Sequence, residues 1–199
     1  MKIDEYLDKF AGVSAENLLE MGCDLPTTHI FLKHINKAIR KVPYYPKTDR
    51  TFYDLATLWA DTVAFDMSIS AMHYLVPDNH DFNKIAGVES GGWIYASELA
   101  RQLSLPFLAI RRYSDLQADD APREPGTTML SDSLISEGDN ILLVVDLIAT
   151  GFTTRVSIEH IEKLGGKIYG IIALADIKSS GGKQCLIDCG YDVKTILTY

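Results

Sequence analysis

The chain is short of every feature that would mark it as extracellular, membrane-spanning or nucleic-acid-binding. Its three cysteines, Cys23, Cys185 and Cys189, are an odd number in 199 residues with no paired spacing, so they fit reduced thiols rather than a disulfide framework. Lys and Arg number 19 against 27 Asp and Glu, a net charge of −8, which argues against a broad nucleic-acid or anionic-membrane surface. A local pocket can still bind a small anion against that field. No apolar run approaches the roughly 20 residues of a membrane span. The charged start MKIDEYLDKF lacks the apolar core of a signal peptide, so a cytoplasmic location is expected. The five histidines (His29, His34, His73, His80, His160) show no metal-ligand spacing. G-x-S-x-G, G-x-x-x-x-G-K and G-x-G-x-x-G are absent, so hydrolase, P-loop and dinucleotide readings lack their signatures.

What is present is an ordinary globular composition, 47% hydrophobic, in a length suited to one domain. Met1 to Gly22 has apolar residues at helical spacing, and His29 to Lys41 reads as a helix stopped by Val42-Pro43. Pro43 to Arg50 reads as a polar loop. Asp54 to Tyr74 has helical periodicity that Asp61 and Asp66 interrupt. After Pro77 the pattern changes to alternation: strand Lys84–Val88, helix Trp93–Leu103, strand Pro106–Ile110, strand Ile141–Val145, helix Thr154–Leu164, strand Ile168–Ala175, a helix near Gly182 to Cys189, and strand Val193–Leu197. Asp115 to Thr128, polar and proline-bearing, reads as a mobile loop. Strands alternating with helices imply a mostly parallel sheet covered on both faces, with ligands at the carboxyl ends of its strands. Three turns, Glu89 to Gly92, Arg111-Arg112 and Asp146 to Thr154, all follow strands and are expected on one rim.

The stretch Ile141 to Gly166, ILLVVDLIATGFTTRVSIEHIEKLGG, carries the chemistry. Five apolar residues make a buried strand, Asp146 ends it, and a hydroxyl-rich turn opens a helix. The first N–H groups of a helix lack internal partners, and its dipole favours negative charge there. Thr150, Thr153 and Thr154 add hydroxyl donors. Asp146 beside them suits sugar hydroxyls, although an acid at a helix start also has a plain capping reading. A sugar phosphate is the expected ligand.

Asp146 to Thr153 (DLIATGFT) resembles the phosphoribosyl-pyrophosphate motif of the type I phosphoribosyltransferases, and three companion segments resemble their adenine-specific branch. Val42 to Leu55 is similar to I-P-D-F-P-K-P-G-I-x-F-R-D-I. Ile85 to Ile94 is similar to V-A-G-I-E-S-R-G-F-I. Leu105 to Arg112 is similar to G-x-P-F-V-P-V-R-K, and Ser180 to Val193 follows that branch's G-G-x-x-x-L-x-x-x-G-x-x-V rhythm. The resemblance covers residues 30–199, with the hood segment at 30–55, and leaves residues 1–29 as a helical extension.

The resemblance implies a type I phosphoribosyltransferase fold, a central mostly parallel sheet flanked by helices with an N-terminal hood. It implies that Ala149, Thr150, Gly151, Phe152, Thr153 and Thr154 hold the 5-phosphate and that Asp146 contacts the ribose. Glu89, Ser90, Gly91 and Gly92 would wrap the pyrophosphate, at a turn where the family often carries a non-proline cis peptide. Arg111 and Arg112 would meet the pyrophosphate charge, with a solvated strand end as their alternative. Val42 and Tyr45 would face the base. The implied partners are phosphoribosyl pyrophosphate, a purine base and AMP. Mg²⁺ would come bound to the pyrophosphate, and the protein would be a homodimer. The implied reaction makes AMP from adenine.

The chain departs from the pattern at five points. Val145 stands where the motif has its first acid, Phe152 where it has a second glycine, Gly91 and Tyr53 where the family has arginines, and the loop after Arg112 is short, with Glu124 as the one candidate in reach for the family's catalytic glutamate. Two other readings therefore stand beside the first: a nucleotide- or phosphosugar-binding regulatory protein that lost turnover, and a transferase for another base.

Overall fold

The computed structural model describes residues 25–44, 51–112, 128–129 and 134–199, with the backbone alone at 25–29, 112, 128 and 129. The expectations for residues 1–22, Tyr45, Glu124 and the loop at 115–127 lie outside those residues. Helix α1 (Leu25–Ala38) is followed by β1 (Arg40–Pro43) and β2 (Thr51–Asp54), then α2 (Ala56–Trp59) and α3 (Thr62–Tyr74). The alternating region holds β3 (Lys84–Val88), α4 (Gly91–Leu103), β4 (Phe107–Arg112), β5 (Thr128–Met129), β6 (Asn140–Ile148), α5 (Phe152–Lys163), β7 (Lys167–Asp176), α6 (Gly182–Asp188) and β8 (Val193–Thr198).

Six strands form one sheet in the order β5-β4-β3-β6-β7-β8. Strands β4, β3, β6, β7 and β8 run parallel, and β5 adds an antiparallel edge to β4. Parallel strands buried on both faces read as continuous apolar runs, and β6 does so, with Ile141 to Val145 all buried. One face packs Ile85, Leu142, Val144 and Leu174 against Leu32, Ile35, Met72, Tyr95 and Leu99 of α1, α3 and α4. The other packs Ala86, Leu143, Val145 and Ala173 against Ile158 and Ile161 of α5 and Leu186 of α6. This is the expected α/β architecture.

The structure corrects several boundaries. The helix expected over His29–Lys41 ends at Ala38, because Arg40 to Pro43 pair antiparallel with Thr51 to Asp54 in a hairpin. The interruption in the Asp54–Tyr74 stretch falls at Asp61, whose carboxylate accepts the N–H groups of Val63 and Ala64 at 3.1 and 3.0 Å and caps α3. Asp146 does not end its strand: Leu147 and Ile148 continue β6 beside Ala175 and Asp176 of β7. The longer neighbour supplies ladder partners past the acid. Helices α4 and α5 each begin two residues earlier than expected, at Gly91 and Phe152. Among the described residues no helix is long and apolar enough to cross a membrane.

Candidate functional site

The chain passes from β3 outward to β4 and later returns to the opposite side of β3 as β6. The connections leaving β3 and β6 therefore diverge, and a crevice opens at their carboxyl ends. A cleft of about 180 Å³ occupies this point, lined by Val88, Glu89 and Ser90 from the β3 turn and by Val145 to Thr154 from β6 and α5. Two of the three expected turns thus meet in one cavity.

The floor of the cleft is the start of α5. Gly151 adopts a left-handed backbone, φ 72°, which frees Phe152 to be the first residue of the helix. The positive φ of this turn thus falls on a glycine and not on the bulky residue after it, and Phe152 stands 50% exposed at the rim. Four N–H groups at the start of such a helix have no acceptor within it, and no acidic side chain occupies the first turn of α5. Thr150 is exposed, Thr153 half-buried and Thr154 buried, so the hydroxyls grade from the mouth to the wall. Thr150 Oγ1 accepts the Phe152 N–H at 3.4 Å, a long bond that leaves the amide available to a stronger acceptor. N–H groups and hydroxyls gathered in this way form a cradle whose chemistry suits an oxyanion.

The cradle is braced from behind. Gly182 donates its N–H to Ala149 O at 3.0 Å, and a Cβ built on Gly182 would overlap Ala149 O, Gly151 N and Thr150 C. The turn before α6 thus presses directly on the cradle backbone. Sequence spacing placed Gly181-Gly182 in a rhythm but gave no sign of this contact.

Asp146 lies half-buried at the lip and accepts the Leu147 N–H on Oδ1 at 2.8 Å. Beneath it the buried phenol of Tyr95 receives hydrogen bonds from Trp59 Nε1 at 3.2 Å and Ser68 Oγ at 3.4 Å. Burial pushes that phenol up to about 12, so it stays neutral beneath the carboxylate. The Glu89–Ser90 peptide is cis, at the position the resemblance indicated. Glu89 and Ser90 line the cleft, whereas Gly91 and Gly92 are buried in the first turn of α4.

The remaining expected residues lie apart from this lining. Arg111 is the penultimate residue of β4 on the same rim, with its guanidinium 5.7 Å from the centre of the Trp93 ring, a cation–π distance. Trp93 is itself fixed by donating Nε1–H to Ile110 O at 3.0 Å. Of Arg112 the backbone pairs with Thr128. Val42 sits half-buried in the hairpin opposite Phe52. That hairpin is held to the sheet by Tyr53, which stacks on Tyr199 of the last strand's end at 4.1 Å, and by Lys41, 4.7 Å from the Tyr199 ring centre.

Comparison with known proteins places this geometry. The family model of the phosphoribosyl transferase domain matches residues 68–189. The adenine phosphoribosyltransferase of Kosmotoga olearia is 36% identical over 167 residues, 81% of this chain and 96% of that protein. That of Chlorobaculum tepidum is 36% identical over 168 residues, covering 80% and 94%. Among solved structures, the adenine phosphoribosyltransferase of Thermoanaerobacter pseudethanolicus superposes with a TM-score of 0.75 at 29% identity, covering 84% of this chain and 99% of that one.

Proposed function

The chain belongs to the phosphoribosyltransferase family, and from that premise we propose that it transfers a phosphoribosyl group from phosphoribosyl pyrophosphate to adenine, a purine-salvage reaction. The C1–O bond to pyrophosphate breaks, a bond from C1 to adenine N9 forms, the N9 proton is lost, and AMP and pyrophosphate leave. The observation that carries the reading is the cradle of Ala149, Thr150, Gly151, Phe152, Thr153 and Thr154 at the switch point of the sheet, with Asp146 at its lip. The cradle takes the 5-phosphate on helix N–H groups and threonine hydroxyls. Asp146 takes the ribose hydroxyls, and the Glu89–Ser90 turn faces the pyrophosphate. Such a reaction develops positive charge on the ribose and negative charge on the leaving group. Catalysis is then mostly positioning and electrostatic stabilisation.

Magnesium enters as part of the substrate, bound to pyrophosphate oxygens, with Glu89 and Asp146 the carboxylates that line the cleft. A homodimeric state, a cytoplasmic location and a base seated near Val42 and Tyr45 belong to the same proposal and rest on the family. Two observations favour a second reading, a phosphosugar-binding protein without turnover: Arg111 lies against Trp93, and the isopropyl group of Val145 is buried in the cleft wall. Incubation with phosphoribosyl pyrophosphate, Mg²⁺ and adenine, hypoxanthine, guanine, xanthine or orotate separates the two. Pyrophosphate release with adenine supports the transferase. Tight AMP binding without release for any base selects the second reading. In either case Asp146→Asn and Thr150→Ala each lower AMP affinity tenfold or more, about the value of one charge-assisted hydrogen bond. Unchanged calorimetric binding in both variants removes the cradle assignment.

A further inference from the structure

The turn after β3 and the end of β6 touch at one point. Val144 packs on the α4 face of the sheet and Val145 on the α5 face, so strand alternation returns Asp146 to α4. There its carboxylate meets Gly91, the buried first residue of α4. A Cβ built on Gly91 would overlap Asp146 Oδ2 and stand 2.8 Å from both Cβ and Cγ of Asp146. Carbon atoms pack at about 3.5 to 4.0 Å, so no side chain fits at position 91 while the carboxylate keeps its place. On its other oxygen the carboxylate holds the Leu147 N–H at 2.8 Å. One attractive and one spatial constraint thus fix it from two sides. The volume vacant at residue 91 is the volume the Asp146 side chain fills.

We propose that Gly91 is a positioning residue: it provides the notch in which the Asp146 carboxylate rests, and so sets the distance between that carboxylate and the phosphate cradle. The inference builds on the reading of the cleft as a phosphoribosyl site and adds which part of the ligand Gly91 governs. A sugar phosphate is held at two points, its phosphate by the start of α5 and its hydroxyl pair by Asp146. Gly91 acts on the second point through Asp146 and leaves the first alone.

The test compares two probes by calorimetry, ribose 5-phosphate, which engages both points, and inorganic phosphate, which engages the cradle. Gly91→Ala lowers affinity for ribose 5-phosphate tenfold or more and keeps affinity for inorganic phosphate within twofold. Equal losses for both probes, or no loss for either, overturn the proposal. In an Asp146→Gly background the obstructed carboxylate is gone, so adding Gly91→Ala changes ribose 5-phosphate affinity by less than twofold; a further loss there also overturns it. Should Gly91→Ala alone fail to fold, the double variant decides: recovered folding supports the notch and continued failure removes it. Asp146→Asn binding ribose 5-phosphate as tightly as the native protein points instead to failure of the phosphoribosyl reading. The notch is then judged on the unfolding midpoint, lowered by Gly91→Ala and restored by Asp146→Gly.

Discussion

The two ends of the same sheet handle polar groups in opposite ways. At the amino end, Lys84 Nζ donates to Asp139 Oδ2 at 2.6 Å and to Leu134 O at 2.8 Å. Asp139 also accepts from Asn83 Nδ2 at 2.8 Å and from the Ser136 N–H at 2.7 Å, and Asn83 in turn accepts the Asn140 N–H at 2.9 Å. These bonds join the start of β3 to the start of β6 across more than fifty positions of sequence. At the carboxyl end of the same two strands, two side chains of the cleft bond backbone close to them in sequence. Asp146 holds the N–H of the next residue, and Thr150 holds that of the residue two further on at 3.4 Å. Beside the Gly182–Ala149 backbone bond, the carboxyl end is shaped by close approach at Gly91 and Gly182. A network that saturates its own donors and acceptors stabilises the fold. A rim shaped by steric contact keeps its helix N–H groups for a ligand.

The largest effect expected from this contrast is at Gly182. Gly182→Val drives a branched side chain into the backbone of Ala149, Thr150 and Gly151, so the cradle must shift. AMP affinity should fall a hundredfold or more, because near-optimal placement of several N–H donors is lost together. Calorimetry on the folded variant reads this, and retention of AMP binding within tenfold would show that the brace does not shape the cradle.

The converse disruption, at the amino end, is expected to cost stability without touching binding. Asp139→Ala leaves the Lys84 ammonium without its carboxylate and the Asn83 and Ser136 donors without their acceptor, a loss of about 2 to 3 kcal/mol. Denaturant titration measures it, while AMP affinity of the folded protein stays within twofold. The pH dependence has a definite sign. Burial alone would raise the Asp139 carboxyl, but hydrogen bonds from Lys84, Ser136 and Asn83, with the Lys84 charge, outweigh it and hold the group below its ordinary value. A carboxyl depressed on folding stabilises above its unfolded pKa and loses that contribution as pH falls through the folded one. The stability gap between the native protein and Asp139→Asn should therefore be full at neutral pH and narrow below about pH 4. A gap that widens on acidification would contradict the assignment.

The same contrast explains which features could be read from the sequence. The apolar run Ile141 to Val145 and the hydroxyl-rich turn behind it are contiguous, so strand, cradle and helix were legible together. Continuation of β6 through Asp146 was not, because it depends on ladder partners in β7. The hairpin was missed because β1 and β2 are short and largely exposed, so burial imposes no alternation on them. The place of Arg111 on the rim follows from its position after an apolar strand, but its guanidinium lies over Trp93, a packing choice invisible in spacing. Above all, the contacts of Gly91 with Asp146 and of Gly182 with the cradle join residues distant in the chain. A glycine that is required by a neighbour's volume looks, in sequence, like one required by a turn.

The smallest expected effect tests whether the cradle is a backbone device. Phe152 lines the cleft, yet its ring is half-exposed and its backbone N–H belongs to the first turn of α5. If the amides carry the anion, Phe152→Ala keeps every donor and raises helix propensity by a few tenths of a kcal/mol. AMP affinity should then move by less than threefold and the unfolding midpoint should hold or rise slightly. A tenfold loss would mean that the ring itself touches the ligand, and the site would be a stacking platform as well as an anion cradle. The comparison with Thr150→Ala sharpens the point, since that variant removes a polar atom at the mouth while Phe152→Ala removes only apolar surface. Unequal losses, large at Thr150 and negligible at Phe152, are what a cradle built from N–H groups and hydroxyls requires.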